Sequence, residues 1–107
     1  MLYELRIYHM NPGKLPDIHK RFSEHTLGLF AKNGIKVVDF WENADGEENI
    51  YYICEFADRT ARDAAFATFR DDPEWKRVSE ESHKNGVIVD KVDSIFMTRV
   101  PYWPRKE

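Results

Sequence analysis

Two interleaved sets of side chains open the chain. Tyr3, Leu5, Ile7 and His9 alternate with Leu2, Glu4, Arg6 and Tyr8, and a period of two residues predicts a β-strand. The more apolar set, Tyr3, Leu5, Ile7 and His9, is expected to face a core. Asn11-Pro12-Gly13 ends the strand, and Pro16 suits the first turn of a helix. From Leu15 to Lys32 the period becomes helical. Leu15, Ile18, Phe22, Thr26, Leu29 and Phe30 then share one face, with Asn33-Gly34 as the stop. Two further strands are predicted over 35–43 and 49–57, joined by an acidic hairpin loop at 44–48. Asp58 or Thr60 caps a second helix whose packing face is Ala61, Ala64, Ala65, Phe66 and Phe69. Asp72-Pro73 interrupts it, and Trp75 and Val78 mark a short helix that ends near Asn85-Gly86. A long strand over 87–100 closes the pattern, followed by Pro101-Tyr102-Trp103-Pro104.

The order β-α-β-β-α-β predicts an α+β fold of one domain, 1–107. Its compact form is the ferredoxin-like arrangement, a four-stranded antiparallel sheet with the helices on one face. That leaves the second face to explain. In the second strand Ile35, Val37, Asp39 and Trp41 oppose Lys36, Val38, Phe40 and Glu42. In the third, Ile50, Tyr52, Cys54 and Phe56 oppose Tyr51, Ile53 and Glu55. Both faces are about half apolar, so both are expected to be covered. A second copy of the chain is the simplest cover, giving a homodimer through the sheet faces.

Composition narrows the partners. At 107 residues the chain has one domain's length, and a formal charge of −3 with no basic run speaks against nucleic acid. No apolar run reaches the ~18 residues of a membrane span. Charged residues from the fourth position onward speak against a secretory signal. Cys54 is the only cysteine, so the cytoplasm is the expected location.

Several short stretches carry a family likeness. YELRIY followed by NPGK (3–14), Phe40-Trp41, Thr60-Ala61-Arg62, Asp72-Pro73-Glu74-Trp75 and the closing run DSIFMTRVPYWP (93–104) occur in this order. Together they resemble the NIPSNAP family, over essentially the whole chain. The resemblance implies a dimeric α/β barrel, in which two sheets pack face to face. It also brings the activities that recur on that architecture: small-ligand binding without turnover, cofactor-independent monooxygenation or isomerisation of a small organic acid, and haem binding or degradation. Relatives tend to carry histidine and tryptophan in the third strand where this chain has Tyr52 and Cys54, so no role resting on that histidine transfers.

Three groups of residues could carry chemistry. Glu4, Arg6 and Tyr8 share a strand face at ~6.5–7 Å spacing. They form either a ligand-binding patch, with Arg6 fixing a carboxylate or enolate oxygen, or a structural ion pair. His19 falls on the apolar stripe of the first helix and His25 just beyond its edge. Their separation is not the i, i+4 spacing of a helical metal pair, so no metal is expected, and proton transfer competes with a purely structural role. Trp41, Tyr52 and Trp75, with Phe56, Phe66 and Phe69, either line a pocket for a flat apolar ligand or fill an ordinary core. No phosphate loop, dinucleotide fingerprint, nucleophile elbow or cysteine pair is present, so no cofactor of those kinds is expected.

Overall fold

The computed structural model describes residues 1–104; the last three residues of the expected domain lie outside the described residues. Four strands, β1 (Leu2–Met10), β2 (Lys36–Glu42), β3 (Asn49–Phe56) and β4 (Val89–Met97), form one sheet in the order β2-β3-β1-β4. Every neighbouring pair is antiparallel. The helices are α1 (Leu15–Arg21), α2 (Leu27–Lys32), α3 (Arg59–Asp71) and α4 (Pro73–Ser82). This is the ferredoxin-like α+β fold expected from the element order. Among the described residues no helix is long and apolar enough to cross a membrane.

Local chemistry sets the boundaries. Asp58 caps α3 by accepting from the Ala61 N–H at 2.8 Å. Asp72 caps α4, accepting from the Glu74 N–H, with Pro73 at the first helical position. Gly34, at φ +81°, turns the chain out of α2 into β2.

Three details depart from the simple periodic reading. First, β1 faces the other way. Its polar set lies under the helices: Tyr8 and Met10 join Ile50, Tyr52, Cys54 and Phe56 of β3 in the core with Ile18, Phe22, Phe30, Phe66 and Phe69. Tyr3, Leu5, Ile7 and His9 are therefore on the uncovered face. Register explains this. Glu4, Arg6 and Tyr8 stand opposite Cys54, Tyr52 and Ile50, and the set containing Ile50, Tyr52, Cys54 and Phe56 is the more apolar side of β3. Burying that side carries the β1 acid and guanidinium in with it.

Second, β2 is bulged between Val37 and Asp39. Val37 and Phe40 consequently share the inner face, opposite Cys54 and Tyr52. Trp41 stands opposite Tyr51 on the outer face and is 46% exposed. The extra residue reverses the alternation expected beyond Val38. Third, the first helix is not one α-helix. A π-helical turn, Phe22–Thr26, separates α1 from α2. It absorbs one additional residue, and Ile18, Phe22, Thr26, Leu29 and Phe30 are all buried across the junction.

Candidate functional site

The inner face of β1 carries a closed ionic cluster. Glu4 is 0% exposed. Arg62 of α3 grips it with both ends of its guanidinium, Nε to Oε1 at 2.8 Å and Nη2 to Oε2 at 2.9 Å. Arg6 Nη1 donates to the same Oε2 at 2.9 Å, and Ser94 Oγ donates at 2.6 Å. Burial alone would raise the Glu4 pKa; the donors from Arg62, Ser94 and Arg6 outweigh it and hold the carboxyl below its ordinary value. Glu4 is thus saturated by protein donors, which leaves it little capacity for a ligand.

Arg6 reaches away from Glu4 as well. Its Nε donates to the Tyr52 hydroxyl at 2.8 Å, and that hydroxyl lies 2.9 Å from the hydroxyl of Tyr8. Aromatic rings box in this line: Tyr52 stacks on Phe40 at 5.0 Å and meets Phe22 edge-on at 5.5 Å. Above it is a cavity of about 200 Å³. Tyr8, Phe22, Phe30, Phe66, Phe69 and Trp75 supply its apolar walls, with Thr26 of the π-helical turn and the guanidinium groups of Arg6, Arg21 and Arg70. Among the described residues no carboxylate lines it.

Arg21 is the unusual member. It ends α1, is only 8% exposed, and packs its guanidinium over Trp75 at 5.2 Å. Its Nη1 donates to Ser82 Oγ at 3.2 Å, while its buried Nε has no partner among the described residues. Among the described residues no carboxylate pairs with it. Burial pushes its pKa down from the ordinary arginine value, as expected of a charge removed from water without a counter-ion. Arg21 also lines an outer groove of about 390 Å³ between α1 and α4, so it stands between that groove and the inner cavity.

The candidates named from sequence scatter accordingly. Arg6, Tyr8 and Trp75 line the inner cavity; Tyr52 lies behind Tyr8, and Glu4 is enclosed in its ion pairs. Trp41 does not share the cavity with Arg6, because the β2 bulge turns it to the other face. His19 reaches the sheet only at its edge: its Nε2 is buried and 3.3 Å from Glu42 of β2, outside hydrogen-bond alignment. His25 is exposed on the outer groove. Neither histidine enters the inner cavity. Among the described residues no group of three His, Cys, Asp or Glu side chains is placed to hold a metal.

Arg21 and Arg62 were not singled out by the periodic pattern, and Thr26 entered it only as a core-facing position. Arg21 had one available signal: it is three residues after Ile18 and directly before Phe22, at the edge of the buried stripe. Arg62 showed only as part of the family-like stretch 60–62, and its role depends on α3 bringing it to Glu4 of β1.

Solved structures share the fold. A NIPSNAP family protein from Agrobacterium tumefaciens superposes with a TM-score of 0.86 at 15% identity, covering 98% of each chain. An uncharacterized NIPSNAP domain protein from Burkholderia xenovorans gives 0.83 at 21% identity, over 98% of this chain and 100% of that one. A structure described as an antibiotic biosynthesis monooxygenase gives 0.61 at 16% identity, over 94% and 100%. At these identities the likeness speaks for the fold. No curated protein matches the chain. The NIPSNAP family model matches residues 3–104, and with nearly the full length accounted for in this way, the chain belongs to the NIPSNAP family.

Proposed function

We propose that this protein binds a small, flat organic carboxylate in the cavity beneath the π-helical turn. One observation carries the reading: among the described residues, the buried Arg21 has no partner for its Nε and lies in an aromatic chamber lined by three arginines and no acid. An uncompensated buried charge is costly unless something supplies the counter-charge. Glu4 cannot, because its oxygens are already engaged by Arg62, Arg6 and Ser94. A carboxylate can pair with a guanidinium through two parallel hydrogen bonds. The walls call for a ring, and about 200 Å³ accommodates a single one, since a cavity of ~150 Å³ holds benzene. Fold likeness alone carries no activity, so the reading stops at binding.

Calorimetric titration with benzoate tests it. Saturable binding is expected in the native protein, weakened about ten- to hundredfold in Arg21→Met, the effect of losing a charged hydrogen bond. Absence of binding, or equal affinity in the variant, would overturn it.

We further infer that a second copy covers the outer sheet face. Leu5, Ile7, Tyr51 and Ile53 are half-buried there, and Trp41 and Ile95 are exposed. Such a surface exceeds what a monomer usually leaves bare. The single buried thiol of Cys54 fits a reducing compartment such as the cytoplasm.

A further inference from the structure

The hydroxyl pair Tyr52–Tyr8 has a direction, and the direction says what the cavity recognises besides a carboxylate. A guanidinium only donates, so the 2.8 Å bond from Arg6 Nε occupies the Tyr52 oxygen as an acceptor. Tyr52 is 0% exposed, and its own hydrogen has one acceptor on hand, the Tyr8 oxygen at 2.9 Å. The proton order is therefore Arg6 to Tyr52 to Tyr8. At the end of this line the Tyr8 hydrogen has no acceptor among the described residues, and Tyr8 lines the cavity whereas Tyr52 does not. A fixed positive charge behind two successive hydroxyls polarises both. It makes the last one a stronger donor, best matched to a negative oxygen.

We propose that Tyr8 binds a second, ionised oxygen on the ligand, so that the cavity selects ring acids bearing an acidic phenol or enol and holds that group as its anion. Tyr8 touches the ligand at this oxygen and Arg6 lines the same cavity, whereas Tyr52, outside the lining, is a positioning residue that acts through Tyr8. No bond is made or broken in the protein, and the proton lost by the ligand hydroxyl goes to solvent. This inference rests on the carboxylate reading above, with Arg21 holding the first anionic group.

The probe is para-hydroxybenzoate carrying fluorine on both carbons beside its hydroxyl. Fluorine adds little bulk, and its NMR shift reports ionisation of the neighbouring phenol. Bound to the native protein, the phenol should titrate at least about one pH unit lower than free in solution, a tenfold preference for the phenolate. Tyr8→Phe should abolish that displacement. Tyr52→Phe, which keeps the Tyr8 hydroxyl and its direct contact with Arg6 but removes the hydroxyl that donates to it, should reduce it. Benzoate, which lacks the second oxygen, provides the companion measurement. Benzoate binding with an undisplaced or raised phenol titration overturns the role of Tyr8 and leaves the carboxylate reading standing. So does a displacement that persists in Tyr8→Phe. Failure of the native protein to bind benzoate overturns the carboxylate reading, and this inference with it.

Discussion

The two faces of β1 distribute polarity against expectation. Its inner face carries Glu4, Arg6 and Tyr8 beneath the helices, while Leu5 and Ile7 on the outer face are only half-buried. The difference lies in partners. Each inner polar group meets a complementary one: Glu4 has Arg62, Arg6 and Ser94, and Arg6 also has Tyr52. Once so satisfied, a polar set can be enclosed while an apolar set awaits cover. Side-chain polarity is thus a weak guide to which face of a strand is inside when the neighbouring strands supply the partners.

The most severe test of that contrast removes the shared acceptor. Glu4→Leu leaves Arg6 and Arg62 enclosed without it, and urea unfolding should show a loss of about 3–5 kcal/mol. Arg6→Met should cost less, about 1–3 kcal/mol, because Glu4 keeps the twofold grip of Arg62. Equal losses would mean that Arg6, rather than Arg62, anchors the cluster.

Acid probes the same group more gently. The folded-state pKa of Glu4 is below its unfolded value, although burial opposes this, because the donors from Arg62, Ser94 and Arg6 prevail. Its contribution is therefore complete above the unfolded pKa of about 4.3 and disappears as pH falls through the lower folded value. The urea midpoint should begin to drop as pH falls below about 4.3, and less steeply in Glu4→Gln. Some slope will remain, since Asp72 is held at about 2 by the Asn33 side chain, the Glu74 N–H and Lys32. An unchanged slope in the variant would remove Glu4 from the account.

The outer face should respond the opposite way. Ile95→Lys should leave the fold of each chain within about 0.5 kcal/mol, as surface changes usually do, yet convert a dimer to monomer in sedimentation at micromolar concentration. A native protein that sediments as a monomer would deny that a second copy covers this face. The smallest response belongs to Cys54. It is fully buried on the inner face, and burial pushes its thiol up to about 12, so a disulfide reagent at neutral pH should label it only as fast as the core opens.

Much of this architecture was legible from period alone. The changes from period 2 to a helical period placed all four strands and the helical segments, and Asp58 and Asp72-Pro73 gave the helix starts. What escaped were single-residue offsets. The bulge before Asp39 and the π-helical turn at Phe22–Thr26 each insert one residue without altering local composition, and a bulge reverses every side chain beyond it. Trp41 was misplaced for that reason. Arg6, Tyr8 and Trp75 were identified as candidates because a strand face and an aromatic cluster show in the pattern. Arg62 was not, because its partner is 58 residues away and only the packing of α3 against β1 brings the two together.

The π-helical turn also has a genealogical consequence. An inserted residue is one codon, gained or lost in a single event, and its loss would rotate α2 against α1 by about 100°. Arg21 precedes the turn, and Thr26 and Phe30 belong to or follow it, yet all three line one chamber. A relative lacking that codon would therefore inherit the same sheet and the same helices around a differently furnished interior. Divergence of specificity on this scaffold need not wait for point changes to accumulate; one frame-preserving deletion would reset the chamber at once.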